Sequence, residues 1–381
     1  MLYSSRRMVV MVKRLCGFVL VVLFAAMETA YAQVSTSAVP FLLIAPNSRA
    51  SGMGEAGAAL ADDASALYWN PAGLAFQEGQ EISISHANWL PAFNLSDLFI
   101  DYLVYRRNVP GLDGTMAASI TYLNLGTFTR TENDPTPLET FKAYEFAVTV
   151  GYATKLTDAL ALGINGRFIH SRLAPFGTAE EKGRGIASGF SFDVGVLYKP
   201  RTLEIPLTGV DIGNHLSVGL NLSNIGPALT YIDKAQADPL PTNFRLGLGY
   251  KVLDSEFNKL TAIVDVSKLL VRKKADGTSD PFYKAIFSSW ADKPLRQELR
   301  EFVTGMGLEY WYGSPKFIAL RAGYFYEDPQ FGNRKFLTFG AGVRYDIYGF
   351  DFSYISTFEE QHPLGETLRF TLLISWGSTS E

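Results

Sequence analysis

Residues 243–252 read NFRLGLGYKV, and two chemistries interleave in that run. Phe244, Leu246, Leu248, Tyr250 and Val252 take one set of positions; Asn243, Arg245, Gly247, Gly249 and Lys251 take the other. Successive side chains of an extended strand point to opposite faces, so a period of two predicts a strand with one apolar and one polar side. The preceding run repeats it, with Leu216, Val218, Leu220 and Leu222 against His215, Ser217, Gly219, Asn221 and Ser223.

The same pattern holds in both directions along the chain. Tyr144, Phe146, Val148, Val150 and Tyr152 oppose Glu145, Ala147, Thr149 and Gly151, and Phe190, Phe192, Val194, Val196 and Tyr198 oppose Ser191, Asp193, Gly195 and Leu197. Leu368, Phe370, Leu372, Ile374 and Trp376 close the series on an aromatic. From Glu81 onward about fourteen such segments are separated by turn residues, a size within the range of outer-membrane barrels.

Alternation also suits a β-sandwich or a soluble barrel. The polar face decides between them. In a sandwich it meets bulk water and carries many Lys and Glu, whereas here it is mostly Gly, Ser, Thr, Asn and Ala, which suits a filled lumen. The expected fold is all-β, a transmembrane antiparallel barrel of about fourteen strands over 81–376 with a short tail at 377–381. Aromatics near strand ends (Trp89, Tyr102, Tyr105, Tyr310 to Tyr312, Tyr324, Tyr326, Tyr345, Tyr348) are expected at the membrane interfaces. With the N-terminus placed in the periplasm, short turns fall on the inner side and long loops on the outer side. The largest loop, 271–301, opens with Arg272, Lys273 and Lys274 and carries Phe282, Phe287 and Trp290, which are candidates for partner binding. A short amphipathic helix is expected from Pro294 to Phe302.

Residues 33–80 break the pattern and are expected to plug the barrel. Gly52, Gly54 and Gly57, with the alanines around them, let backbone pack on backbone. Asp62 and Asp63 are expected to cap a short helix from Ala64 to Trp69, which Asn70-Pro71 ends. The plug residues singled out are Arg49, Gly52, Gly54, Gly57, Asp62, Asp63, Trp69, Asn70, Pro71 and Gly73. The run from Gly52 to Gly57 also satisfies G-x-G-x-x-G, but no βαβ unit surrounds it, so a dinucleotide site is set aside.

Met1 to Ala32 reads as a secretory leader: Arg6, Arg7, Lys13 and Arg14, an apolar run from Leu15 to Ala26, then Ala30-Tyr31-Ala32. Cleavage near Ala32 would remove Cys16, the single cysteine, and would deepen the formal net charge from −4 to about −7. Such a chain has no electrostatic case for nucleic acid.

Asn70-Pro71-Ala72-Gly73-Leu74 resembles the plug motif of the FadL-like family of outer-membrane barrels. The opening from Ala38 to Ala50, Gly52-Met53-Gly54, Trp69 to Ala72 and the ending Leu368 to Leu373 are similar to its PorV branch, outer-membrane components of the type IX secretion system of Bacteroidetes. The wording Asp62 to Leu67 and the tail after Trp376 leave a paralogous branch such as PorQ open. The resemblance implies a protein of the outer-membrane bilayer that binds secreted cargo proteins leaving the type IX translocon and passes them to surface attachment proteins. A FadL-like channel for small hydrophobic molecules and a lipopolysaccharide deacylase are the alternatives.

No catalytic residue, cofactor or metal site is expected. His86, His170, His215 and His362 lie on separate segments, and G-x-S-x-G does not occur. The ionisable residues Asp101, Glu145, Arg167, Asp193, Arg245, Asp265, Glu309, Arg321, Arg344, Asp351 and Arg369 are expected to face the lumen and pair across it or with Arg49, Glu55, Asp62 and Asp63. Neutralising Asp193 there is expected to cost much less than placing Arg at Val194.

Overall fold

The computed structural model describes residues 37–377 apart from 94–96, 132–133, 135, 177–182, 207–208, 233–236, 275 and 360–361. The expected leader at 1–32 and the end of the tail lie outside the described residues.

Fourteen strands follow the alternating segments: β1 (Gln80–Asn88), β2 (Phe99–Val109), β3 (Gly114–Arg130), β4 (Glu139–Lys155), β5 (Leu160–Ala174), β6 (Gly185–Tyr198), β7 (Leu216–Ile225), β8 (Asn243–Asp254), β9 (Asn258–Leu269), β10 (Val303–Tyr312), β11 (Ile318–Tyr326), β12 (Lys335–Tyr345), β13 (Tyr348–Thr357) and β14 (Leu368–Trp376). Each pairs antiparallel with its neighbours in sequence, and β1 meets β14 from Gln80↔Trp376 to Ala87↔Arg369, which closes the barrel.

The alternation becomes an inside and an outside. On β6, Phe190, Phe192 and Val194 are 61%, 60% and 41% exposed, while Ser191 and Asp193 are 0% and 1% exposed. Apolar side chains thus face the surroundings and polar ones face inward, the reverse of a soluble barrel and the arrangement that lipid requires. The long connections 89–98, 131–138, 175–184, 226–242, 270–302, 327–334 and 358–367 lie at one end. The connections 110–113, 156–159, 199–215, 255–257, 313–317 and 346–347 lie at the other; all of them but 199–215 are about five residues or fewer, which marks this as the periplasmic end.

Strand parity corrects three assignments. Tyr102 and Tyr105 are three residues apart and so cannot share a face: Tyr105 points outward and Tyr102 is buried inside. Trp311 is likewise buried between the outward Tyr310 and Tyr312. Asp101 has the parity of Tyr105, so it lies on the outer face, where His86 Nδ1 is 2.7 Å from its Oδ1.

Residues 37–79 run through the lumen from the long-loop end to the short-turn end. Ala38 N–H donates to the Pro239 carbonyl at 2.9 Å, and Phe41 and Leu42 pack with Ile100, Leu123, Ile169, Leu229 and Leu240. At the other end Asn108 N–H donates to the Gly79 carbonyl at 2.9 Å, beside the 110–113 turn. The first described residues of the plug therefore lie at the long-loop end and not at the periplasmic end: the apolar stretch from Ala38 to Leu42 finds its burial beneath the long loops. Strand directions are unaffected, because β1 still begins at the short-turn end.

Val194→Arg puts charge into the apolar belt and is expected to lower stability by about 2–4 kcal/mol near the bilayer midplane. Ser191→Ala, inward on the same strand, is expected to stay within about 0.5 kcal/mol. Reversible denaturant unfolding in lipid vesicles measures both.

Candidate functional site: a filled lumen and its outer rim

The plug folds as short turns because small residues and prolines interrupt anything longer. Helical turns Ser48–Ser51 and Ala66–Trp69 are joined by glycine-rich chain, and a 3-10 helix follows at Pro71–Phe76. The helical turn begins later than expected, with Ser65 at its N-cap. Asp63 Oδ1 accepts the Ser65 N–H at 2.9 Å, and Asp62 turns away to Arg49. Asn70 is extended, at φ −165°, and so ends the turn as Pro71 demands.

Asn70 is the clamp between plug and wall. Its Nδ2 donates to the Ala58 carbonyl at 3.0 Å and to the Val196 carbonyl of β6 at 2.9 Å, while its Oδ1 accepts the Ala72 N–H at 3.2 Å. Gly195 makes this approach possible, since a Cβ there would stand 2.7 Å from Pro71 Cδ and collide with Asn70. Gly163 and Gly219 complete the socket against Pro71-Ala72 and Ala58. Gly54 sits at φ +67°, where a Cβ would lie 2.5 Å from the carbonyl oxygens of Met306 and Tyr324, so only glycine fits. A Cβ on Gly52 would come within 3.1 Å of Gly340 Cα, Gly57 lies under the Trp69 ring, and Gly73 rests on Ala61.

Inward polar side chains cap the plug backbone around the ring. Asn165 Nδ2 donates to the Leu67 carbonyl at 2.7 Å and Asn221 Nδ2 to the Trp69 carbonyl at 3.1 Å. Thr338 accepts the Gly54 N–H at 2.8 Å, Thr371 the Ser48 N–H at 3.0 Å, and Glu81 the Ala64 N–H at 2.8 Å. Asp265 accepts from Gly57 and Ala58 at 2.9 and 3.0 Å. Arg245 donates to the Glu55 carbonyl at 3.1 Å and stacks 4.9 Å above Trp69, whose Nε1 donates to Asn47 at 2.9 Å. Sequence reasoning passed over Asn165, Asn221, Thr338 and Thr371, although their inward parity marks them.

A chain of charge fixes the plug near the short-turn end. Arg49 Nε and Nη2 each donate to Glu309 at 2.7 Å, and Nη1 reaches Asp62 at 2.5 Å and Asp63 at 3.1 Å. Arg321 continues it, donating to Glu309 at 2.8 Å and to Asp351 at 2.7 Å, and Arg344 donates to Asp351 at 2.6 Å. A cavity of about 360 Å³ opens at this end, with Arg49, Asp62 and Glu309 in its lining alongside Lys199 and Lys316. Its place inside the lumen works to raise the Asp62 carboxyl, but Arg49, Lys316 and Lys199 together outweigh that and hold the group down at about 2.

Arg167 and Asp193 form a second pair, at 2.6 and 3.2 Å. Of the inward charged residues expected to pair, two are not in carboxylate–guanidinium pairs among the described residues. Glu145 accepts from Ser171 at 2.7 Å, and Tyr231 donates to the same hydroxyl at 2.9 Å. Arg369 donates to Ser51 Oγ.

Of the outer-loop candidates, Arg272 and Lys274 lie 3.7 and 3.3 Å from Asp280, Lys273 is exposed, Phe282 is half-buried and Phe287 is exposed. The expected helix near Pro294 is a turn at Leu295–Glu298 continued as 3-10 to Glu301, and a further helix forms at Phe282–Ser288. Trp290, 40% exposed, rests one edge on the wall: its ring meets Phe244 edge-on at 5.1 Å. Lys268, also passed over, is fully buried beside it, and its charge on the apolar parity of β9 is the signal that would have found it. Asp292, Glu298 and Glu301 lie close enough to share a cation, and the ammonium groups of Lys268 and Lys293 reach into that group.

A closed barrel with an apolar belt, a lumen filled by its own N-terminal segment and long loops at one end is an outer-membrane β-barrel of the FadL-like kind. The family described as type IX secretion system protein PorV matches residues 27–276, and the chain belongs to that family. Among solved structures, the TodX deltaS2S3 mutant, a monoaromatic hydrocarbon channel, is similar at 14% identity over 86% of this chain and 97% of that one, with a TM-score of 0.50. The Ralstonia pickettii toluene transporter TbuX is similar at 12% over 87% and 98%, with a TM-score of 0.47. A Pseudomonas aeruginosa FadL homologue is similar at 12% over 87% and 98%, with a TM-score of 0.46. Likeness at such identities concerns the fold alone. No curated protein sequence matches the chain significantly.

Asp193 is not the mild lumen site that its parity alone implied. Asp193→Asn strands a buried guanidinium and is expected to cost about 3–5 kcal/mol in the same unfolding experiment. Asp62→Asn is expected to melt below the parent at neutral pH. Because its folded-state value lies below the ordinary 3.8, the carboxylate's contribution is complete above that pH and fades as pH falls toward 2. The two melting curves should therefore converge across that window.

Proposed function

We propose that this barrel works in type IX secretion by binding secreted cargo at its long-loop end and passing it to the surface attachment machinery, with the translocon as its upstream partner. The observation that supports this reading is the filled lumen. A plug tied to the wall by Asn70, Asp265, Thr338, Thr371 and the Arg49–Glu309 pair makes the barrel a rigid post in the bilayer, and leaves the loops as the part free to engage a protein. The role is one of binding, not catalysis. Most inward carboxylates are engaged by guanidinium groups or backbone amides, and Glu145 by a hydroxyl.

The expected cleavage near Ala32 leaves a chain free of cysteine, so single cysteines can carry photocrosslinkers. A crosslinker at Lys273→Cys on the long-loop end is expected to trap a tagged type IX cargo in living cells, and one at Ser255→Cys on the short-turn end is not. Trapping only at Ser255→Cys, or normal cargo delivery in cells lacking the chain, overturns the reading.

A further inference from the structure

The connection between β9 and β10 does not rise from the barrel mouth; it folds down against the outside of the wall. Phe244 pairs in register with Lys268 and shares the parity of Leu246, Leu248 and Tyr250, which are exposed on the outer face. Lys268 therefore points outward as well, yet it is fully buried: Glu298 accepts from its ammonium at 2.8 Å and Glu301 accepts a second bond. Trp290 covers Phe244 at 5.1 Å and approaches Phe302 at 6.2 Å. An outward ammonium in the lipid belt is costly, and this loop supplies the carboxylates that neutralise it.

What the loop turns away from the wall is apolar. Tyr283 and Phe287 are 65% and 76% exposed and sit four residues apart on the helix Phe282–Ser288, while Ala285, on the opposite side of that helix, is buried. Leu295 and Leu299 repeat the spacing at 75% and 62%. The segment that carries these four side chains also seats Trp290 on Phe244 and Glu298 on Lys268, both on the outward parity of β8 and β9, so its apolar residues are continuous along the chain with the covering of the outer wall.

From this continuity we infer that residues 281–299 form a flap lying in the outer leaflet, with Tyr283, Phe287, Leu295 and Leu299 inserted at the headgroup–acyl boundary and Lys268 as its tether. The occupant of this apolar face is the lipid surface itself, in the manner of an interfacial helix.

The test uses the full chain in phosphatidylcholine vesicles with an environment-sensitive fluorophore on a single introduced cysteine. At Phe287→Cys the emission is expected to be blue-shifted, quenched by nitroxides attached near the start of the lipid acyl chain, and quenched by aqueous iodide several-fold less than at Lys273→Cys. Leu295→Cys is expected to behave like Phe287→Cys and serves if that variant does not fold. Iodide quenching equal to that of Lys273→Cys overturns the inference, because the face then meets water. So does shielding from both quenchers, which means that protein covers it.

Discussion

A backbone that crosses lipid must satisfy every amide within its own fold, and an antiparallel sheet can do so only by closing on itself. In this chain closure is the β1–β14 seam, eight paired positions from Gln80↔Trp376 to Ala87↔Arg369. Everything else follows from the ring. Its outer face is committed to lipid, so polar chemistry turns inward; its inner face encloses a volume, so the chain must fill it. The N-terminal segment does that with turns too short to stand alone, each held by side chains of the wall.

The inward faces are accordingly written for the plug rather than for water. Gly195, Gly163 and Gly219 give up side chains where Asn70-Pro71-Ala72 presses against the strands, and Asp265, Asn165 and Thr338 supply partners where plug amides and carbonyls lack them. The charged chain from Asp62 through Arg49, Glu309, Arg321 and Asp351 to Arg344 alternates in sign at each step. A guanidinium placed between two carboxylates keeps buried ions neutralised in pairs.

Much of this was legible from the period of two, which predicts strands, faces and barrel at once. Errors arise where residue type is read without parity: Asp101 shares the outward parity of Tyr105 on β2 and so does not belong with the lumen charges, and Tyr102, three residues from Tyr105, does not belong with the interfacial aromatics. The plug's glycines marked close packing, but which wall each would touch depends on the register of strands hundreds of residues away, as with Arg49 and Glu309. The direction in which the plug threads the lumen was hidden for another reason. Both ends of a barrel accept an apolar segment, and only the burial of Phe41 and Leu42 with Leu229 and Leu240 distinguishes them.

The seat of Ala38 beneath the long loops bears on how such a protein is made. The segment that fills the lumen starts near one rim, exits at the other beside Gly79, and leads directly into β1, half of the closing seam. Strand β14 comes from the far end of the chain. The final zipping of the wall thus takes place around a stopper already covalently joined to it, and assembly in the outer membrane must hold the sheet open until that stopper has collapsed inside.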